Sequence, residues 1–248
     1  MMFLGIDVGT RFTKAVLWDG KVKGYVIEET AGNLKPVLES VLGGIKKFGK
    51  FEKCCATGSG AELVEFAEIK EDDVVCLAIA GRDMVNADYV IDIGAQSITV
   101  VSIDKDGNVI DYVKNDKCAS GSGKFLEVMS SALGLDIRNV DKFAVNSDKK
   151  LSITSQCAVF AESEVISYVN DGEKRENIIS AVCDSIAKIV ASQVKKLNIA
   201  GKYTITGGVA NFATITERIR KTIGGDYVSF PQPQLAVAIG AGIVAEEF

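Results

Sequence analysis

Short apolar runs broken by turn residues recur in two matched stretches of this chain. The first runs Leu4-Gly-Ile-Asp-Val-Gly-Thr-Arg-Phe-Thr-Lys-Ala-Val-Leu-Trp-Asp-Gly and continues Lys21-Val-Lys-Gly-Tyr-Val-Ile. Apolar segments flanking Gly9 and the Asp19-Gly20 turn predict a strand–turn–strand–turn–strand meander. The pattern returns at Tyr89-Val-Ile-Asp-Ile-Gly-Ala-Gln-Ser-Ile-Thr-Val-Val-Ser-Ile-Asp, turning at Asp106-Gly107 before Val109-Ile-Asp-Tyr-Val. Asp7 aligns with Asp92 and Gly9 with Gly94, which argues for two homologous halves rather than a chance likeness of two hairpins.

Between the repeats, the spacing predicts a helix from Leu34 to Phe48, a short strand near Glu52–Ala56 and a second helix near Ala61–Ala67. After the second repeat, helices are expected around Gly123–Leu133, Phe160–Asn170 and Glu176 to Leu197. Lys202-Tyr-Thr-Ile-Thr reads as a strand ending in Gly207-Gly208, followed by a helix from about Phe212. The tail from Leu235 is a small-residue helix suited to close packing. The expected fold is α/β: a duplicated half over 1–87, a second over 88–234, and a helix of about 235–248 packing back on the first. With 3 prolines and no low-complexity linker, the halves should pack closely around a hinge.

Composition narrows the function. Of 248 residues, 47% are hydrophobic, enough for a sizeable core and too many for disorder. The net charge of −5 is interspersed, giving no footprint for nucleic acid or for an anionic membrane surface. The chain opens directly into a strand with no secretory signal, and no apolar run of the ~18 residues of a membrane span stands out. A cytoplasmic setting follows, in which the 6 cysteines are reduced thiols or metal ligands. Histidine is absent, which excludes catalytic triads and histidine-metal sites.

The two Asp-x-Gly turns suit a phosphate site. Gly9 lets backbone approach phosphate oxygens, Thr10 donates a hydrogen bond, and Lys14 neutralises charge. Asp7 is suited to hold Mg²⁺ through water, with Asp92 and Gly94 as its mirror. Gln96 is a candidate to orient an attacking water. In Thr206-Gly-Gly-Val-Ala-Asn211, Gly207 and Gly208 leave a flat backbone for a purine and ribose. Gly121 and Gly123 are further nucleotide-site candidates. Any one of these segments alone is an ordinary tight turn; it is their combination that points to a nucleotide.

The three segments together resemble the phosphate-1, phosphate-2 and adenosine motifs of the sugar kinase, actin and heat-shock chaperone ATPase superfamily, along nearly the whole chain. That resemblance implies two RNase H-like domains closing on ATP. Two further segments each place a cysteine just ahead of a predicted helix: Asn115-Asp-Lys-Cys-Ala-Ser-Gly-Ser-Gly-Lys-Phe-Leu-Glu127 and Ile153-Thr-Ser-Gln-Cys-Ala-Val-Phe-Ala-Glu-Ser-Glu-Val-Ile-Ser167. A helix N-terminus favours negative charge and so suits an anionic metal–sulfur centre. A [4Fe–4S] cluster takes four thiolates, which a two-fold dimer presenting Cys118 and Cys157 from each chain would supply. The alternative is a pair of structural thiols at helix starts.

These segments closely resemble the activator component of 2-hydroxyacyl-CoA dehydratases and its relatives in benzoyl-CoA-type reductases. The resemblance implies an ATPase whose cluster, shared across a homodimer by Cys118 and Cys157, passes one low-potential electron to a partner dehydratase or reductase. The phosphate-2 loop departs from the activators' Asp-x-Gly-Gly-Gln-Asp-x-Lys: Ala95 removes a flexible position, Ser97 a carboxylate and Thr99 a positive charge. A histidine common ahead of that loop is also missing. Two other classes stay open, a small-molecule kinase on the same fold and a non-redox ATP-switched assembly protein. Cys76 and Cys183 read as core residues. Of Cys54-Cys55, one is expected to face away from the core of its sheet. Glu162 and Glu164 read as helix N-terminal charges or as part of a docking surface.

Overall fold

Both meanders form. The computed structural model describes residues 1–30, 32–115, 120–154, 157–197 and 200–248. In the first half β1 (Phe3–Val8), β2 (Phe12–Trp18) and β3 (Val22–Glu29) are antiparallel, and β4 (Cys54–Thr57) and β5 (Ile69–Lys70) add parallel to β1, in the order β3-β2-β1-β4-β5. Helix α1 (Leu34–Ile45) lies between β3 and β4, opened by the Asn33 side chain, which accepts from the Lys35 amide at 3.2 Å. Helix α2 (Asp73–Val85) ends the half.

The second half repeats the sheet. β6 (Tyr89–Ile93), β7 (Ile98–Ile103) and β8 (Val109–Asn115) are antiparallel, and β9 (Lys202–Thr206) and β10 (Asp226–Tyr227) are parallel to β6, in the order β10-β9-β6-β7-β8. Between β8 and β9 lie α3 (Gly123–Ala132), α4 (Val140–Ala144), α5 (Ala158–Asn170) and α6 (Arg175–Leu197); α7 (Ala213–Ile223) and α8 (Ala236–Glu247) follow β9 and β10. The equivalence extends to register. Asp7 faces Lys14 on β2 and Thr57 on β4, while Asp92 faces Thr99 on β7 and Thr206 on β9.

Each sheet has its own core on one face, with Leu4, Ile6, Leu17, Val41 and Ile45 in the first half and Ile91, Phe125, Ile186 and Tyr203 in the second. The opposite faces share a third core, in which Trp18, Leu77, Val90, Val101 and Ile239 meet. Helix α2 continues from the first half but packs on the sheet of the second, and α8 continues from the second but packs on β1, β2 and β4. A Cβ on Gly5 would collide with the Ala238 carbonyl and Gly242, so only a bare backbone admits α8 this close. The Trp18 indole also donates to Glu246 at 2.7 Å.

The structure adds to or departs from these expectations at several points. The helix expected near 61–67 is a single 3-10 turn, Ala61–Leu63. Helix α2 was hidden in its continuous apolar run, because burial between the halves leaves little polar face for a helical period to show. Cys54 and Cys55 point to opposite faces as expected, Cys54 to the first core and Cys55 to α2 and α8, but that second face is covered too, so both are fully buried. Helix α6 does have the length and hydropathy of a membrane span, but 78% of that window is buried inside the fold, as in a core helix.

Candidate functional site

The β1–β2 and β6–β7 turns open on the same cleft. The Gly9 amide donates to the Phe12 carbonyl at 3.2 Å and the Gly94 amide to the Ser97 carbonyl at 2.9 Å, closing two like turns. Thr10 and Gln96 are exposed at their tips. Below the first, Lys14 Nζ donates to Asp7 Oδ2 at 2.6 Å, both side chains largely buried. Burial works against the Lys14 charge, but the Asp7 carboxylate outweighs it and leaves the ammonium above its ordinary range, with Asp92 adding in the same direction.

Across its ladder Asp92 faces no lysine, because Thr99 occupies the position equivalent to Lys14. Its Oδ1 accepts from Thr206 Oγ1 at 2.9 Å. Burial nevertheless pushes its carboxyl up to about 6, against Thr206 and Lys14, with Asp7 and Asp73 repelling in the same sense as burial. Asp73, in the first turn of α2, is held through both oxygens at 2.7 Å by Lys114 at the end of β8. Burial, partly offset by Lys114, keeps Asp73 above its ordinary value, and Asp7 contributes to that repulsion. Carboxylates from both halves and two lysines therefore feel one another across the cleft. Sequence reasoning missed Asp73, Lys114 and Thr206 in these roles; the Asp72-Asp73 capping signal ahead of an apolar run was the available clue.

The adenosine-type segment leaves β9 at Gly207, whose φ of +87° and contact with the Ile93 carbonyl exclude any side chain. Its amide donates to the Pro233 carbonyl at 2.9 Å, and a Cβ on Gly208 would meet nothing within 4 Å. One face of that turn is thus open. Gly121 is buried against Ile98 and Ile189, and Gly123 donates its amide to the Gly94 carbonyl at 2.9 Å. With Lys124 N to Ala95 O at 2.8 Å, this ties the start of α3 to the phosphate-2 turn. Arg11, beside the first turn, reaches Glu29 at 3.0 Å and Glu127 of α3 at 3.7 Å, bridging the halves.

Cys157 is the N-cap residue of α5 and is exposed, whereas Cys54, Cys55, Cys76 and Cys183 are buried. Cys118 lies outside the described residues. Among the described residues no group of three or more His, Cys, Asp or Glu side chains is gathered as a metal site. The first turn of α5 has no acidic residue, which corrects the reading of Glu162 and Glu164 as helix-terminal charges. Glu164 instead reaches back to Thr154, accepting from its amide at 2.9 Å and sharing a hydrogen bond with its hydroxyl at 3.0 Å. Lys124 pairs with Glu127 at 3.1 Å, and Arg82 donates to the Lys105 carbonyl at 3.0 Å. Two grooves of about 410 and 530 Å³, sharing Lys150, Leu151 and Asp184, are lined by none of the predicted site residues.

The model of the BadF/BadG/BcrA/BcrD ATPase family matches residues 4–245. The chain is 34% identical to the activator of lactoyl-CoA dehydratase of Anaerotignum propionicum, over 100% of this chain and 98% of that protein. Among solved structures, it matches the activator of the 2-hydroxyisocaproyl-CoA dehydratase from Clostridium difficile with bound ADPNP, at TM-score 0.92 and 30% identity, over 100% of this chain and 95% of that one. A ROK family glucokinase from Streptomyces griseus shares the fold alone, at TM-score 0.67 and 13% identity over 100% of both chains.

Proposed function

The chain belongs to the BadF/BadG/BcrA/BcrD ATPase family, and on that premise we propose that it is an ATP-dependent one-electron donor. In this reading two copies share one [4Fe–4S] cluster through Cys118 and Cys157 and reduce a partner 2-hydroxyacyl-CoA dehydratase or aryl-CoA reductase-like enzyme in the cytoplasm. The observation that carries it is the placement of Cys157: it is the exposed cysteine among those described, at the start of a helix whose first turn has no acid. Its position suits a thiolate ligand shared between chains better than a core thiol.

The donor chemistry fits both groups. Asp7 and Asp92 offer carboxylate oxygens from opposite walls, which suits hydrated Mg²⁺. A cluster held by the cysteines supplies one-electron transfer. The chain's own residues do the rest. Lys14 turns from Asp7 to phosphate oxygens, the Gly9, Thr10 and Gly94 turns admit those oxygens to backbone amides, and Gln96 orients the attacking water. Gly207 and Gly208 present flat backbone to the purine. Gly123 transmits the position of the phosphate-2 turn to the segment that follows Cys118 through its hydrogen bond to Gly94. Gly121 packs against Ile98 and Ile189 with no room for a side chain.

Iron content and visible spectrum after oxygen-free purification and reconstitution test this reading in the native chain, Cys118→Ala and Cys157→Ala. About four irons per dimer, lost in either variant, is the expected outcome. A dimer that takes up no iron would leave an ATPase or a kinase with structural cysteines.

A further inference from the structure

Among the described residues Thr57 Oγ1 is fully buried with no nitrogen or oxygen partner, an uncommon state for a hydroxyl. Its polar neighbour is the Cys76 thiol, a weak partner. The duplication gives this orphan a counterpart. Thr57 is the register partner of Asp7 on parallel strands, as Thr206 is of Asp92. Each threonine is followed by a glycine in the left-handed region, Gly58 at φ +86° and Gly207 at φ +87°. Thr57-Gly58-Ser59-Gly60 is therefore the first-half equivalent of the adenosine-type segment.

The two halves differ in what holds the carboxylate. Thr206 donates to Asp92, but Thr57 does not donate to Asp7, whose Oδ2 is held by Lys14. Asp7 Oδ1 already leans toward this loop: a Cβ on Gly58 would stand 2.6 Å from it. Residues paired in register on parallel strands point to the same face, so the hydroxyl and the carboxylate share one side of the sheet.

We propose that Thr57 is a positioning residue for Asp7 in the nucleotide-bound protein. When Lys14 turns to phosphate, Asp7 loses its donor, and the Thr57 hydroxyl takes that place as Thr206 does for Asp92. The orphan hydroxyl is thus a bond held in reserve for the loaded state. This rests on the nucleotide reading above and extends it to a loop outside the family's three motifs.

The test compares the native chain, Thr57→Val and Thr57→Ser. It measures the dissociation constant for a non-hydrolysable ATP analogue with magnesium by calorimetry, and the melting temperature without ligand. Thr57→Val, which removes only the hydroxyl, is expected to bind about fivefold to tenfold more weakly. Its unliganded melting temperature should be close to native or higher, because only the weak contact with the Cys76 thiol is lost there. Thr57→Ser should restore affinity to within about twofold of native. Native-like affinity in Thr57→Val overturns the proposal. So does a fall in affinity that tracks a fall in unliganded melting temperature, since that marks a merely structural threonine. If the native chain itself binds no nucleotide, the ATPase reading falls and takes this one with it.

Discussion

Lys14 and Asp7 face each other across the β1–β2 ladder with Nζ 2.6 Å from Oδ2, while Asp92 faces a threonine. The two ladders are therefore charge-asymmetric, with Lys14 opposite Asp7 on the first and a neutral threonine opposite Asp92 on the second. Lys14→Met should destabilise the unliganded protein by about 2 kcal/mol, because it strips a charged hydrogen bond from a largely buried carboxylate. It should also weaken ATP binding by tenfold or more, on the order of one charge-assisted phosphate contact. Thermal unfolding and calorimetric titration read the two effects separately. Undiminished affinity would remove Lys14 from the nucleotide site.

Asp92 makes stability depend on pH in a stated direction. Its carboxyl is raised from 3.8 to about 6 in the fold, so between those values the folded chain holds more proton than the unfolded one. Stability from this group is accordingly present below about 4, falls as pH rises through about 6, and is flat beyond. The full shift corresponds to at most about 3 kcal/mol. Asp92→Asn keeps an acceptor for Thr206 and lacks the charge, so it should gain on the native chain as pH rises from 4 to 6. Melting curves across that range check this, and a gap that does not vary with pH would count against it. Binding of Mg²⁺ with ATP should strengthen over the same interval, as the carboxylate ionises.

Thiol reactivity should single out one described cysteine. Burial, with Glu68 nearby, pushes the Cys54 thiol far up, and burial carries Cys183 to about 12. A hydrogen bond with Cys55 and burial raise Cys76. In a Cys118→Ser variant, a thiol reagent under native conditions should label Cys157 rapidly and the other four only on unfolding. Fast labelling at a second position would contradict the burial of the 54–55 pair.

The glycines after β4 and β9 separate fold from function. Gly58→Ala and Gly207→Ala force a side chain onto backbone at positive φ and should each cost about 1–3 kcal/mol of stability. Gly208→Ala meets open space and should leave stability within about 0.5 kcal/mol, yet weaken nucleotide binding if the purine lies there. Melting temperature and affinity, taken together for the three variants, decide it.

The strands were legible because each carries its signal locally. Asp19-Gly20 and Asp106-Gly107 mark tight turns, with Gly20 and Gly107 at positive φ, and the runs between them are short and apolar. Asp7 and Lys14 flank one turn and Asp92 holds Asp7's place in the repeat, so all three could be singled out from local spacing. Asp73 and Lys114 could not, because 41 positions separate them and only the passage of α2 beneath the second sheet brings them together. Helix α2 stayed hidden for the same reason: a helix packed between the halves keeps too little solvent face to write a clear period into its sequence. The Thr-Gly repeat at 57 and 206 was visible as letters, and its meaning depended on which strands pair.

Each half lends its last helix to the other, and the two borrowed helices touch at their backbones, where Gly240 admits the Cys76 carbonyl. Neither half can be cut away as a finished unit, since each would leave with its partner's helix and expose the floor of its own sheet. Any rotation that closes the cleft must also turn α8 against α2 at this glycine. A distance ruler with one label on each helix would then read the same stroke as a pair set across the mouth at Arg11 and Glu127, from the opposite side of that contact.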